Sequence, residues 1–292
     1  MSWQDVALKW EKFEDLEDYL KTQLENFSEK EKEEAFYAPL EFGTAGMRGI
    51  VGPGINRMNV YTVRQATEGL ARLIETYGEE AKKRGVAIAH DSRHFSPEFA
   101  LESAKVLVKH GIKAYVFEDL RPTPELSYAV RHLHTFAGIM ITASHNPAAY
   151  NGYKVYGEDG GQMPPKDADA LTEFVRQVEN PLAVDVVTKE ELEQSALFEW
   201  IGEAVDASYL EEIKSVSVNP ALLSNTKDLS VVYTPLHGTG LMLTKRALDQ
   251  AGFTGLHVVS EQATPDGDFT TVKSPNPEEA GAFEYAVELG KK

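Results

Sequence analysis

Three short apolar runs, Val86–Ala89, Ala114–Phe117 and Phe136–Ile141, constrain the fold more than any other feature of the chain. Their length suits strands buried in a sheet, and each is parted from the next by a segment with helical start and stop signals. Ser96-Pro97-Glu98 reads as an N-cap followed by proline at the first helical position, with a helix to about His110 that Gly111 stops. Thr123-Pro124-Glu125 opens the next helix in the same way. Strands that alternate with helices predict a layered α/β sheet.

The flanks extend this pattern. The charged stretch up to about Phe36 reads as helix, with Trp3, Val6, Trp10, Phe13, Leu16 and Leu20 on one stripe that is expected to pack on the domain body. Val60–Tyr77 is a further helix. Pro181–Gln194 is polar and reads as a linker. Beyond it the pattern predicts a helix over Asp206–Val216, a strand over Leu229–Tyr233, a helix over Leu241–Ala251 and a strand over Leu256–Val259. A loop, Thr264–Pro277, and a last helix, Glu278–Leu289, follow. The 292 residues thus divide into a helical extension (1–40), a first domain (41–190) and a second, incomplete domain (191–292).

Charge and composition narrow the function classes. A net charge of −17 argues against nucleic acid as a partner, so any phosphate-binding cleft must be positive locally, against the overall field. The chain has no cysteine, which excludes disulfides and thiolate chemistry. Its first residues lack the basic start and apolar block of a signal peptide, and no apolar run is long enough to span a membrane. The cytoplasm is the expected location.

The run Thr142-Ala143-Ser144-His145-Asn146-Pro147 places a serine just past the end of the third apolar strand, where ligands bind in open α/β sheets. A serine hydroxyl needs a base or a metal to act as a nucleophile. His145 is adjacent, but neighbouring side chains on extended backbone point opposite ways, so a direct Ser144–His145 dyad is not expected. The Gly-x-Ser-x-Gly elbow of hydrolases is absent, which disfavours acyl-enzyme chemistry. Pro147 keeps Asn146 out of helical backbone and the serine on a loop. Lys154, in Asn151-Gly152-Tyr153-Lys154, could serve as a base only if burial or a cationic neighbour lowers its pKa. An ordinary loop serine and a solvated strand lysine are the plain alternatives.

These two runs together resemble the phosphoserine loop of the α-D-phosphohexomutases, the family of phosphoglucomutase and phosphomannomutase. Three more segments have counterparts there: Phe42-Gly43-Thr44-Ala45-Gly46-Met47-Arg48-Gly49, Asp91-Ser92-Arg93, and Thr234-Pro235-Leu236-His237-Gly238. The resemblance implies a three-layer α/β/α domain with a mixed sheet, followed by part of a second domain of similar type. It implies that Ser144 carries a phosphoryl group, with Mg²⁺ bound through a phosphate oxygen. Lys154 becomes the general acid/base, and Arg48 and His145 contact phosphate or substrate. Asp91-Ser92-Arg93 becomes structural support, and His237 a structural residue. The implied substrate is a small sugar phosphate, interconverted between glucose 1-phosphate and glucose 6-phosphate with glucose 1,6-bisphosphate as primer and intermediate. Phosphopentomutase, phosphomannomutase and glucose 1,6-bisphosphate synthase activities are close rivals; a non-catalytic phosphosugar-binding module is the rival of another class. The family has four domains, so the resemblance also implies a fragment cut before the metal loop and nearly inactive alone.

Two motifs are discounted. Gly238-Thr239-Gly240 follows a strand and opens a helix, yet Leu243 replaces the third small residue of a dinucleotide fingerprint. Asp266-Gly267-Asp268 is followed by Phe269 and precedes, rather than follows, Pro275-Asn276-Pro277-Glu278, so both aspartates read as turn residues. His132 and His134 fall at a helix end and are read as solvated.

Overall fold

The computed structural model describes residues 2–43, 46–223 and 229–292. Thr44 and Ala45 of the glycine-rich run lie outside the described residues.

The apolar runs are the middle of a six-stranded sheet. Its strands are β1 (Met47–Ile50), β2 (Val86–His90), β3 (Ala114–Phe117), β4 (Ala137–Ile141), β5 (Tyr150–Tyr156) and β6 (Phe198–Ile201), in the order β1-β5-β4-β2-β3-β6. Strand β2 pairs in parallel with β3 and β4, whereas β5 runs antiparallel to both β4 and β1, so the sheet is mixed. Strand β2 is buried throughout and feeds two cores by simple alternation. Val86 and Ile88 enter one core, and Ala87 and Ala89 enter the other. Helices Val60–Thr76, Ser96–Lys109 and Pro165–Arg176 pack together over the first face, and Thr123–His132 covers the second. The result is the three-layer α/β/α arrangement. Helices after β2 and β3 lie on opposite faces, which opens a crevice at the carboxyl ends of β2 and β4.

Several boundaries differ from the sequence reading. The amino-terminal stretch forms three helices, Trp3–Glu11, Asp18–Glu25 and Glu29–Phe36, not one. Ser28 and Glu31 form a capping box that starts the third afresh. The stripe still docks on the body, with Trp10, Leu16 and Leu20 buried. Ser96 and Thr123 are first helical residues rather than N-caps; Phe95 and Pro122 hold the cap positions. The Ser96 hydroxyl instead donates to Asp91 Oδ1 at 2.7 Å. The expected linker contains a short helix, Lys189–Gln194, and leads into β6, which pairs with β3. The first sheet therefore runs past the boundary expected at residue 190.

The second unit is smaller. Strands β7 (Val231–Tyr233) and β8 (Leu256–Val258) form a parallel pair, with the helix Leu241–Gln250 between them. Its last helical stretch is split into a 3₁₀ turn, Ala280–Phe283, and an α-helix, Glu284–Gly290. The helix Glu203–Ser215 contacts both Thr123–His132 and Leu241–Gln250, and so joins the units. Arg121 donates to both carboxylate oxygens of Asp206 at 2.8 and 2.9 Å, and Arg246 reaches Glu203 at 2.7 Å. Glu125 is fully buried beside this pair, with neither carboxyl oxygen hydrogen-bonded among the described residues. Its burial, then the Asp206 carboxylate, pushes its pKa up to about 9, so the side chain is held protonated. No helix among the described residues is long and apolar enough to cross a membrane.

Candidate active site

Ser144 and His145 project, exposed, from the loop between β4 and β5. Ser144 adopts a left-handed backbone, φ 57°, which is uncommon for a residue with a side chain. Thr142 Oγ1 accepts from the Ser144 N–H at 2.9 Å, and the Asn146 N–H donates back to the Ala143 carbonyl at 3.1 Å. The loop is a closed turn, not extended chain. This corrects the expectation for His145: Ser144 Oγ stands 3.4 Å from His145 Nδ1, because the left-handed residue turns both side chains to one side. At that length the contact is weaker than a good hydrogen bond.

Arg93 holds the loop from below. Its guanidinium donates to four backbone carbonyls: Nη1 to Pro147 and Tyr150 at 2.9 and 3.0 Å, Nη2 to Ser144 and Asn146 at 2.9 and 2.5 Å. Its side chain is 1% exposed, with Nε 3.4 Å from Asp91 Oδ2. Asp91 Oδ1 in turn accepts from the Arg93 N–H at 3.0 Å and from Ser96 Oγ. The segment after β2 thus supports the serine loop from below through Arg93, and its Asp91 also reaches the wall beside Ser144.

The Asn151-Gly152-Tyr153-Lys154 run has a physical reason at every position. Asn151 is buried and donates to the His94 carbonyl and Ser96 Oγ at 3.0 and 2.9 Å. A Cβ on Gly152 would lie 2.6 Å from the Thr142 carbonyl oxygen, so the close approach of β5 to the start of the serine loop requires glycine at that position. Tyr153 is fully buried, its hydroxyl 3.1 Å from Thr67 Oγ1. Lys154 shares a sheet face with Arg48, through the pairing of Arg48 with Gly152. Burial, then the Arg48 charge, lowers the Lys154 pKa, with Asp91 opposing. Lys154 Nζ makes no hydrogen bond or ion pair among the described residues. Both conditions set out for a basic Lys154 are present.

Arg48 is exposed on β1 and donates to Asn146 Oδ1 at 2.8 Å, which joins the glycine-rich run to the serine loop. Gly46, φ 85°, lies where a Cβ would fall 2.0 Å from the Tyr153 carbonyl oxygen. The four residues singled out therefore gather on β1, β5 and the loop between β4 and β5.

The second unit closes the other side. A cleft of about 420 Å³ lies between the units, with Ser144, His145 and Asp91 on one wall and Thr234, Leu236, Gly238 and Phe269 on the other. Ser144, Leu236 and Phe269, three residues with side chains at positive φ, all face it. Backbone strain of this kind gathers at functional sites. His237 is structural: Nδ1 donates to the Thr264 carbonyl and Nε2 bonds Thr271 Oγ1, each at 2.8 Å. Asp266 accepts from the Asp268 and Thr270 N–H groups, as a turn residue does. Sequence reasoning missed Asn146 as the link to Arg48 and Phe269 as a wall residue. Asn146 lay inside the quoted hexapeptide; Phe269 gave no signal beyond interrupting an aspartate pattern.

Residues 39–181 match "Phosphoglucomutase/phosphomannomutase, alpha/beta/alpha domain I", and residues 207–292 match domain II of the same family. A phosphoglucomutase of Staphylococcus aureus (strain USA300) is 38% identical over 269 residues, covering 92% of this chain and 47% of its own length. One from Staphylococcus saprophyticus is 37% identical over 277 residues, covering 95% and 48%. The chain spans about half the length of the curated relatives it matches. Among solved structures, a phosphoglucomutase/phosphomannomutase family protein from Burkholderia thailandensis superposes with a TM-score of 0.64 at 19% identity, over 86% of this chain and 50% of that one. The open form of parafusin from Paramecium gives 0.62 at 18%, over 86% and 48%. At those identities the two structures speak for the fold alone.

Proposed function

The chain belongs to the phosphoglucomutase/phosphomannomutase family, and from that premise we propose that it carries the phosphoryl-transfer centre of a phosphosugar mutase acting on glucose 1- and 6-phosphate. Ser144 stores the phosphoryl group. The free hydroxyl of the sugar phosphate attacks the phosphorus, the Oγ–P bond breaks, and glucose 1,6-bisphosphate forms. The bisphosphate turns over in the cleft and returns its other phosphate to Ser144. Lys154, with its pKa lowered, takes the hydroxyl proton in one half-reaction and gives it back in the other. Arg48 and His145 balance phosphate charge. The observation that carries this reading is the Ser144 loop itself: an exposed serine in a left-handed turn at a strand end, pinned through four carbonyls by Arg93.

Mg²⁺ is the metal the family implies. Among the described residues no group of three His, Asp or Glu is arranged to hold one. The carboxylate beside the loop, Asp91, is already engaged by Arg93 and Ser96. The described residues do not form a Mg²⁺ site beyond the phosphate that Ser144 would carry, and no step above runs through the metal.

The test is the phosphorylation state of the purified chain, before and after exposure to glucose 1,6-bisphosphate. One phosphoryl group per chain, absent from Ser144→Ala, is the expected result. No phosphate at Ser144, with equal glucose 6-phosphate binding by the parent and Ser144→Ala, would instead identify a non-catalytic phosphosugar-binding module.

A further inference from the structure

The turn in the second unit that faces Ser144 grips the residue that holds the serine loop. Phe269 lies with its ring centre 5.0 Å from Arg93 Cζ and is 5% exposed. Its backbone is left-handed, φ 51°, a conformation that a bulky side chain keeps only when its surroundings impose it. Asp266 imposes it here. Its Oδ1 accepts from the Asp268 N–H and its Oδ2 from the Thr270 N–H and hydroxyl, and its carbonyl accepts from the Phe269 N–H at 3.2 Å. A glycine or asparagine would satisfy such a turn without strain. A phenylalanine there puts an aromatic face on a buried guanidinium.

A second contact lies one residue away on each side. His94 Nε2 stands 2.8 Å from Asp268 Oδ1. A Cβ on Gly267 would lie 3.0 Å from the His94 backbone nitrogen, so the turn sits directly on that segment. Residues 93 and 94 of the first unit are thus matched to 269 and 268 of the second. Both terminal nitrogens of Arg93 are engaged by the serine loop, and its flat face is the surface left for a partner.

We propose that Phe269 is a positioning residue for phosphoryl transfer. By packing on Arg93 it fixes the guanidinium that holds the Ser144, Asn146, Pro147 and Tyr150 carbonyls. Seating of the 266–269 turn on the first unit then sets the order of the serine loop, and movement of the second unit is felt at Ser144. The proposal rests on the phosphoryl-carrier reading of Ser144 for its consequence, but the coupling itself is measurable without substrate.

The experiment compares amide hydrogen exchange in the 292-residue chain, in Phe269→Leu, which keeps an apolar side chain but has no aromatic face, and in Phe269→Tyr, which restores one. Phe269→Leu is expected to speed exchange at Asn146 and Tyr150 by ~10-fold while Ile88 and Ile139 in the sheet stay unchanged, and Phe269→Tyr to match the parent. Unchanged exchange at Asn146 and Tyr150 in Phe269→Leu overturns the proposal, as does equal loosening in Phe269→Tyr. Should Phe269→Leu fail to fold, the same readout in Asp266→Asn, which weakens the turn and keeps the ring, decides it in the same direction. A loosened loop in a chain whose Ser144 never accepts phosphate would refute the mutase reading and leave the coupling standing; a rigid loop refutes the coupling whatever Ser144 accepts.

Discussion

Two loops face each other across the cleft and are held by opposite means. The serine loop is fixed by a distant, buried side chain: Arg93 reaches it from the segment after β2 and satisfies four of its carbonyls. The 264–271 turn is fixed mostly by its own residues, Asp266 and Thr270, with His237 bracing it from nearby. Their scaffolds differ in the same sense. The middle strands of the first sheet are covered on both faces, whereas in the second unit Val231 of the two-stranded sheet is 37% exposed and Leu229, just before it, 53%. Precision at Ser144 comes from the first unit, and the second supplies a more easily displaced wall. Regions with few buried apolar contacts open locally at low cost.

The largest effect should come from the buried anchor. Arg93→Met leaves Asp91 unpaired and four carbonyls without donors, and is expected to destabilise the chain by about 3–5 kcal/mol in denaturant unfolding. A loss below about 1 kcal/mol would show that the loop is held locally after all, and the contrast between the two loops would fail.

A second test lies at the joint between the units. Glu125 has a folded-state pKa raised from 4.5 to about 9, so the folded chain keeps a proton there that the unfolded chain has lost. Its contribution to stability is complete below pH 4.5 and disappears as pH rises through about 9. Glu125→Gln keeps a neutral group of the same shape at every pH. The variant should gain stability relative to the parent steadily across that window, measured as denaturant midpoints at its two ends. A constant difference would mean that Glu125 is ionised in the folded chain.

The smallest effect belongs to the self-contained turn. Asp266→Ala removes exposed hydrogen bonds and should cost only about 1 kcal/mol, with faster exchange at Thr270 and, through the seating of Phe269 on Arg93, at Asn146 and Tyr150, while Ile88 and Ile139 in the middle of the first sheet stay unchanged. A loss equal to that of Arg93→Met would erase the distinction between the two loops.

The sequence makes the middle of the first sheet legible because β2, β3 and β4 are buried on both faces and read as plain apolar runs. Strands β1, β5 and β6 escape that reading because Arg48, Asn151, Lys154 and Glu199 interrupt their apolar residues. Ser96 and Thr123 mark their helix starts to within a residue, but the Ser96 hydroxyl bonds to Asp91, a contact five residues back that no cap rule anticipates. At the candidate site, the resemblance of the motifs singles out Ser144, His145, Lys154 and Arg48, and the fold gathers them on β1, β5 and the loop between β4 and β5. The resemblance cannot supply the left-handed backbone at Ser144, which brings His145 within 3.4 Å where extended chain would have kept it away. It also cannot show that Arg93 and Phe269, from different units, meet.

The most direct test of the mutase reading is a chase. Chain phosphorylated on Ser144 is mixed with glucose 1-phosphate, and the label is followed in single turnover. Phosphate is expected to leave Ser144 as glucose 1,6-bisphosphate, far more slowly than in a full mutase because the described residues supply no Mg²⁺ site, and Lys154→Met is expected to slow this single turnover by a further factor of roughly 10² or more. Label that stays on Ser144, or that appears only as inorganic phosphate at the same rate in Lys154→Met, would contradict that reading.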